Sequence, residues 1–275
     1  MGLLAAMREN SLARVRAARQ RVPESALRAA EPMAARPPRV RLSDEGFDLI
    51  AEFKLRSPAL GQLSAGPTDP LPRLRAYAEG GAAIVSVLTE PTRFAGDLAH
   101  LRLAADTLRP CGVPVMRKDF LVDPYQVLEA RAHGASGVLL IVRMVPRADL
   151  VEMLDGAAQL GLFVLLEAFD ARDLAVAAEL AVDRRGRDEQ ILMGLNCRDL
   201  ESLAIDFGRF AELRDQLPPE WPGVAESGVQ SAVDAQLVAK LGYRLALVGT
   251  CLMQSPQPAK TVADLLAAAR EGRVQ

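Results

Sequence analysis

Eight short apolar runs alternate with amphipathic stretches along this chain, and that alternation constrains its fold more than any other feature. The runs lie at residues 49–53, 83–88, 113–116, 138–142, 163–166, 191–195, 223–225 and 245–248, and are rich in Val, Ile and Leu. Between them, residues 71–79, 125–132, 148–160, 171–180 and 232–241 carry apolar side chains at helical spacing. A strand that is apolar on both sides is buried on both faces, as in a parallel sheet covered by helices. Eight such strands with intervening helices predict an α/β fold, a closed (β/α)8 TIM barrel. An open doubly wound sheet is the alternative reading of the same alternation. Ahead of the first run, a basic, Ala-rich helical pattern occupies residues 12–31, is broken at Pro23 and ends at Pro37 and Pro38. The chain therefore divides into an N-terminal helical extension, residues 1–45, and a barrel, residues 46–275. The extension is expected to cover the barrel mouth. The polar run 183–190 is expected to be a solvated insertion.

Composition narrows the function. With 275 residues, half of them hydrophobic, the chain can bury one full core. Its 33 basic and 35 acidic residues are mixed and leave a net charge of −2. No basic stripe exists to hold nucleic acid. The apolar stretch at residues 1–6 is too short before Arg8 for a signal peptide, and no run approaches a membrane span. The three cysteines, Cys111, Cys197 and Cys251, lack CxxC spacing, and there are only two histidines. Neither a disulfide framework nor a metal site is expected, and a cytoplasmic compartment follows. A small-molecule substrate fits this balance best.

Polar side chains stand in or just after the apolar runs. Glu52 and Lys54 accompany the first, Lys118 the third, Glu167 the fifth, Asn196 and Arg198 the sixth, and Glu226 and Ser227 the seventh. A barrel gathers the C-terminal ends of its strands at one mouth, so these groups are expected to converge there. Taken singly, each also fits a strand cap or a pair with a neighbour. A lysine directly after a buried strand is costly unless its ammonium meets an anion or water, which makes Lys54 and Lys118 harder to explain structurally. Glycine turns follow the last two strands, at Gly228 and at Gly249 with Thr250. Their backbone N–H groups and hydroxyls suit the phosphate cradle that barrels build at this place.

The motifs resemble one family in order. They are Ile50-Ala51-Glu52-Phe53-Lys54 with Ser57-Pro58, Ser86-Val87-Leu88-Thr89-Glu90 with Phe94 and Gly96, and Arg117-Lys118-Asp119-Phe120. Leu139-Leu140-Ile141, Leu166-Glu167, Gly194-Leu195-Asn196 with Arg198-Asp199-Leu200, Ala225-Glu226-Ser227-Gly228 and Leu247-Val248-Gly249-Thr250 follow. Together they resemble indole-3-glycerol phosphate synthase, a carbon–carbon lyase of tryptophan biosynthesis. The resemblance implies a phosphorylated, anthranilate-derived substrate that closes an indole ring with loss of carbon dioxide and water, with no cofactor and no metal. It implies Lys118 as general acid, Glu167 as acid/base group, Lys54 as second cation and Glu52 as the group that positions the lysines. Asn196 and Ser227 would bond the reacting centre. Ser57, Arg198, Glu226, Gly228, Gly249 and Thr250 would hold substrate and phosphate, and Phe94, Phe120 and Leu139 would form an apolar wall. By composition alone, the last three also fit a core, and Arg198 a surface pair with Asp199 or Glu201. The implied state is a monomer or weak oligomer, with tryptophan-pathway proteins as possible partners. The chain departs from the family pattern at Ala59, Leu60, Phe169 and Cys197. Those departures leave room for a paralogue that uses a modified anthranilate, or for a catalytically weak binding protein.

Overall fold

The computed structural model describes residues 2–58, 60–63, 69–200 and 202–273. Eight parallel strands close a barrel: β1 Asp48–Phe53, β2 Ile84–Leu88, β3 Val115–Lys118, β4 Gly137–Ile141, β5 Phe163–Ala168, β6 Ile191–Asn196, β7 Gly223–Glu226 and β8 Leu245–Val248. Neighbours in sequence are neighbours in the barrel, and β8 pairs with β1. The expected barrel is therefore present, and the open sheet is excluded.

Side-chain parity sorts the strands into two cores. Leu49, Ala51 and Phe53 pack outward with Val85, Val87, Leu140 and Leu166 against the helices. Residues of the opposite parity, among them Ile50, Ile84, Met116, Leu139, Leu165, Leu192, Val224 and Leu245, form the second core inside the barrel. Glu52, Lys118, Glu167, Asn196 and Glu226 share that inward parity at the strand ends. Register aligns them, since Ile141 pairs with Glu167, and Asn196 with Glu226.

The surrounding helices start where short polar side chains accept the first free N–H groups. Asp69 caps Pro70–Glu79, Asp97 caps Leu98–Leu108, Asp123 caps Pro124–Ala132 and Asp170 caps Ala171–Val182. Ser231 and Asp234 form a reciprocal capping box at Ala232–Lys240. Arg147–Gln159 and Pro258–Arg273 complete the layer.

The extension departs from expectation in two ways. Its first helix, α1, spans Leu3–Arg21 and so begins well before residue 12. Its buried stripe is Met7, Ser11 and Val15 at four-residue spacing, and the serine interrupts the apolar pattern. Ser11 is buried because its hydroxyl donates to the Phe120 carbonyl at 2.5 Å and accepts from the Gln126 amide at 2.9 Å. Nor does the extension cover the mouth as a whole. Among the described residues of the extension, only Leu3 lines the mouth cavity; farther on, the Tyr125 hydroxyl holds the Val22 carbonyl, and the Val40 backbone bonds Gln190 below the barrel. The run 183–190 also differs from a plain solvated loop, because Arg184 is buried between Asp155 (2.5 Å) and Glu189 (2.8 Å).

Candidate active site

At the C-terminal ends of the strands lies a cavity of about 290 Å³. Every residue singled out above for catalysis or binding lines it: Glu52, Lys54, Ser57, Phe94, Lys118, Phe120, Leu139, Glu167, Asn196, Arg198, Glu226, Ser227, Gly228, Gly249 and Thr250. They come from all eight strands or the loops after them, so only barrel closure assembles them.

Charge is concentrated at the base. Lys54 Nζ lies 2.6 Å from Glu52 Oε1. Lys118 Nζ lies 3.9 Å from Glu167 Oε1 and 3.6 Å from Glu226 Oε2. Burial alone would lower the Lys118 pKa, but the carboxylates of Glu167, Glu226 and Glu52 outweigh it and raise the value above the usual lysine range. Burial likewise opposes ionisation of Glu52, yet Lys54 and Lys118 hold its carboxyl below the usual range. The Asn196 amide donates to Glu167 Oε1 at 2.5 Å and its own oxygen accepts from the Arg198 N–H at 2.9 Å, so one side chain fixes both neighbours.

Glu226 stands apart electrostatically. Burial, then the Glu167 charge and that of Glu52, push its carboxyl well above the usual range against the pull of Lys118. Both of its oxygens are buried without a hydrogen-bond partner, and 3.6 Å to Lys118 is an ionic contact rather than a hydrogen bond. The geometry therefore places the Glu226 carboxyl beside the lysine. Gly194 makes its room, because a Cβ there would stand 2.1 Å from Glu226 Oε1.

The turns after β7 and β8 are shaped differently. Ser227 and Gly228 both adopt the left-handed region, at φ 68° and 78°, a conformation that non-glycine residues rarely take. Gly249 has an ordinary negative φ but no space for a side chain, since a Cβ would approach Glu52 Oε1 to 2.3 Å and Lys54 Nζ to 2.9 Å. Thr250 opens the short helix Thr250–Gln254, whose first N–H groups lack intrahelical acceptors. Opposite these turns the wall is apolar: Phe94 and Phe120 are tilted rings 6.2 Å apart, and Leu139 lies beside them in the cavity lining.

With this mouth in place, the comparisons become decisive. The chain matches the indole-3-glycerol phosphate synthase family over residues 4–265. The chain belongs to the indole-3-glycerol phosphate synthase family. Enzymes of that name from Mycobacterium avium (strain 104) and Rhodococcus jostii (strain RHA1) are 42% and 40% identical to it, covering 82% and 85% of this chain and 79% and 84% of their own lengths. Among solved structures, 3-hexulose-6-phosphate synthase from Salmonella typhimurium overlays with a TM-score of 0.64 at 10% identity, over 82% of this chain and all of that one. At that identity it shows the shared barrel alone.

The family assignment carries lyase chemistry with decarboxylation, in tryptophan biosynthesis, on a phosphorylated substrate. Within that family's mouth, several residues were not anticipated. Leu3, Leu88, Asp119 and Ile141 also line the cavity. Phe169, a departure from the family pattern, adds to the wall, with the Arg143 guanidinium 5.2 Å from its ring centre. Cys197 does not line the cavity; a Cβ on Gly228 would lie 3.1 Å from its Sγ, so it packs beneath that turn. Arg198 donates to the Leu203 carbonyl at 2.9 Å, while Ala59 and Glu201 lie outside the described residues. Asp119 was legible as part of the Arg117-Lys118-Asp119-Phe120 motif, but its partner was not. Arg14 of α1 grips it with two bonds, at 2.7 and 2.9 Å, across 105 positions of sequence. Burial opposes its ionisation, yet Arg14 and Arg117 pull the Asp119 pKa down to about 2. Among the described residues no group of three His, Cys, Asp or Glu side chains is placed to hold a metal, and no helix is long and apolar enough to cross a membrane.

Proposed function

We propose that this cavity performs the family's ring closure on 1-(2-carboxyphenylamino)-1-deoxyribulose 5-phosphate, with Lys118 as the general acid. The observation that carries the reading is the Lys118 ammonium held inward beside Glu167 and Glu226 at the base of a cavity with one apolar wall. The phosphate sits in the turns of Ser227, Gly228, Gly249 and Thr250, where backbone N–H groups and hydroxyls gather. The aromatic ring lies against Phe94, Phe120, Leu139 and Phe169, and Arg198 and Ser57 bound the space for the remaining polar groups.

Ring closure forms a bond between the carboxylate-bearing ring carbon and the ketone carbon, and the ketone oxygen gains negative charge. The three carboxylates keep Lys118 fully protonated beforehand. Its proton moves when the developing alkoxide becomes the stronger base. Carbon dioxide then leaves and returns its electron pair to the ring. Glu167, oriented by Asn196, serves the final loss of water. Lys54, fixed by Glu52, supplies a second positive charge.

Lys118→Met keeps the aliphatic stem and removes the proton donor, so kcat/KM falls by about 10²- to 10⁴-fold. Lys118→Arg does not restore activity, because guanidinium keeps the charge but does not release a proton readily. Turnover is followed by the fluorescence of the indole product. A folded Lys118→Met enzyme within about threefold of the parent, far below general-acid magnitudes, overturns the assignment.

A further inference from the structure

A second cavity, of about 320 Å³, lies at the opposite end of the barrel, around the start of β7 and the segments leading into β1 and β8. Arg214, Arg244 and Arg273 line it together with Trp221. Arg214 and Arg273 each donate to the same backbone oxygen, that of Gly242, at 3.2 and 3.4 Å, so their guanidiniums converge on one point. The other contacts of Arg273 are also backbone carbonyls, those of Ala239 and Gly46. Among the described residues neither of these two arginines meets a carboxylate. Arg244 differs, being paired with Asp48 at 2.7 Å. Glu220 also borders the cavity but is already joined to Arg185.

Three buried donors in this cluster lack a hydrogen-bond acceptor: Arg214 Nε, the Trp221 indole nitrogen and Arg244 Nη1, of which only the last has an ionic partner, Asp48. Buried N–H groups are ordinarily paired, and an unpaired one costs free energy that an arriving acceptor recovers. Burial lowers the Arg273 pKa, and the positive charges of Arg244 and Arg214 lower it further, which marks uncompensated charge at this place. With Arg244 neutralised by Asp48, two guanidinium charges remain. That charge matches a phosphate dianion, whose several oxygens suit guanidinium forks.

We propose that the floor of the barrel carries an oxyanion site, made by Arg214, Arg273 and the Trp221 indole N–H and bordered by Arg244, that takes phosphate or a phosphate monoester. It is separate from the phosphate turns at the mouth. Trp221 is the chain's single tryptophan, so its emission reports this cavity without interference. Inorganic phosphate is titrated into the whole protein at constant ionic strength, balanced with chloride to hold screening fixed. The expected result is a saturable change in Trp221 emission, whose apparent Kd weakens at least about tenfold in the Arg214→Gln/Arg273→Gln variant, as loss of two charge-assisted contacts requires. Arg273→Gln alone, at the exposed end of its helix, weakens it in the same direction and guards against misfolding of the pair. Competition of phosphate with substrate in turnover reads the mouth instead and stays unchanged in both variants. A flat wild-type titration, or a response equal in wild type and variants, overturns the site.

Discussion

Replacing Gly249 by alanine tests the mouth with the smallest possible perturbation. The added Cβ would stand 2.3 Å from Glu52 Oε1 and 2.9 Å from Lys54 Nζ. An ordinary van der Waals contact begins near 3.4 Å, so the Glu52 carboxylate has to retreat by roughly 1 Å. Lys54 Nζ, itself crowded by the added Cβ, has to shift as well, so the 2.6 Å pair is displaced or weakened. A misplacement of about 1 Å in a catalytic group costs on the order of 10²-fold in rate, or about 2.7 kcal/mol of barrier. The expected outcome is therefore a kcat/KM about 100-fold below the parent, measured by indole fluorescence, with the far-ultraviolet circular dichroism unchanged. Weakening the Lys54 contact also lets the depressed Glu52 pKa climb back toward its ordinary value. Stability from a depressed carboxyl is present above its unfolded pKa and lost as pH falls through the folded one, so the variant loses part of that contribution at neutral pH. Gly156 supplies the control. It lies inside the helix Arg147–Gln159, where an added Cβ would meet nothing within 4 Å and φ is not positive. Gly156→Ala should stabilise the protein by about 0.5–1 kcal/mol and leave kcat/KM alone. A Gly249→Ala enzyme within about threefold of the parent would refute the claim that Gly249 is reserved for the Glu52–Lys54 pair, since that loss is far below the cost of a misplaced group.

Glu226→Gln should change stability with pH. The folded-state pKa of Glu226 lies well above the usual carboxyl value, so its contribution is fully present below the unfolded pKa and is lost as pH rises through the folded one. Glutamine is neutral throughout, and the melting temperature of the variant relative to wild type should therefore be higher at pH 8 than at pH 5; an equal difference at the two values contradicts the raised pKa. Arg14→Gln strips the two-bond partner from the buried Asp119, which keeps Arg117 and the Thr89 hydroxyl, and denaturant unfolding should show a loss of about 1.5–3 kcal/mol, the scale of a hydrogen bond to a charged group. A loss under about 1 kcal/mol would equate this contact with an exposed surface pair.

Local chemistry was legible from the sequence because it is written at short range. Polar residues in or just after near-continuous apolar runs stand out locally, so Glu52, Lys118, Glu167, Asn196 and Glu226 could be assigned to strand ends from the residues alone. Eight strands with intervening helices favoured a barrel over an open sheet, and family motifs named the groups at its mouth. The start of α1 was not legible, because a stripe containing Ser11 has no apolar periodicity and is buried only through bonds to Phe120 and Gln126. Contacts across the barrel were hidden for a related reason. Lys118 on β3 meets Glu226 on β7 only once the sheet closes, and the height of the Glu226 pKa depends on the burial and neighbouring charges that closure creates. The grip of Arg14 on Asp119 and the gathering of Arg214, Arg244 and Arg273 at the floor likewise join residues far apart in the chain. Sequence determined the residue types and the face each presents; tertiary structure alone decided which charges face one another, because that depends on where distant segments are brought together.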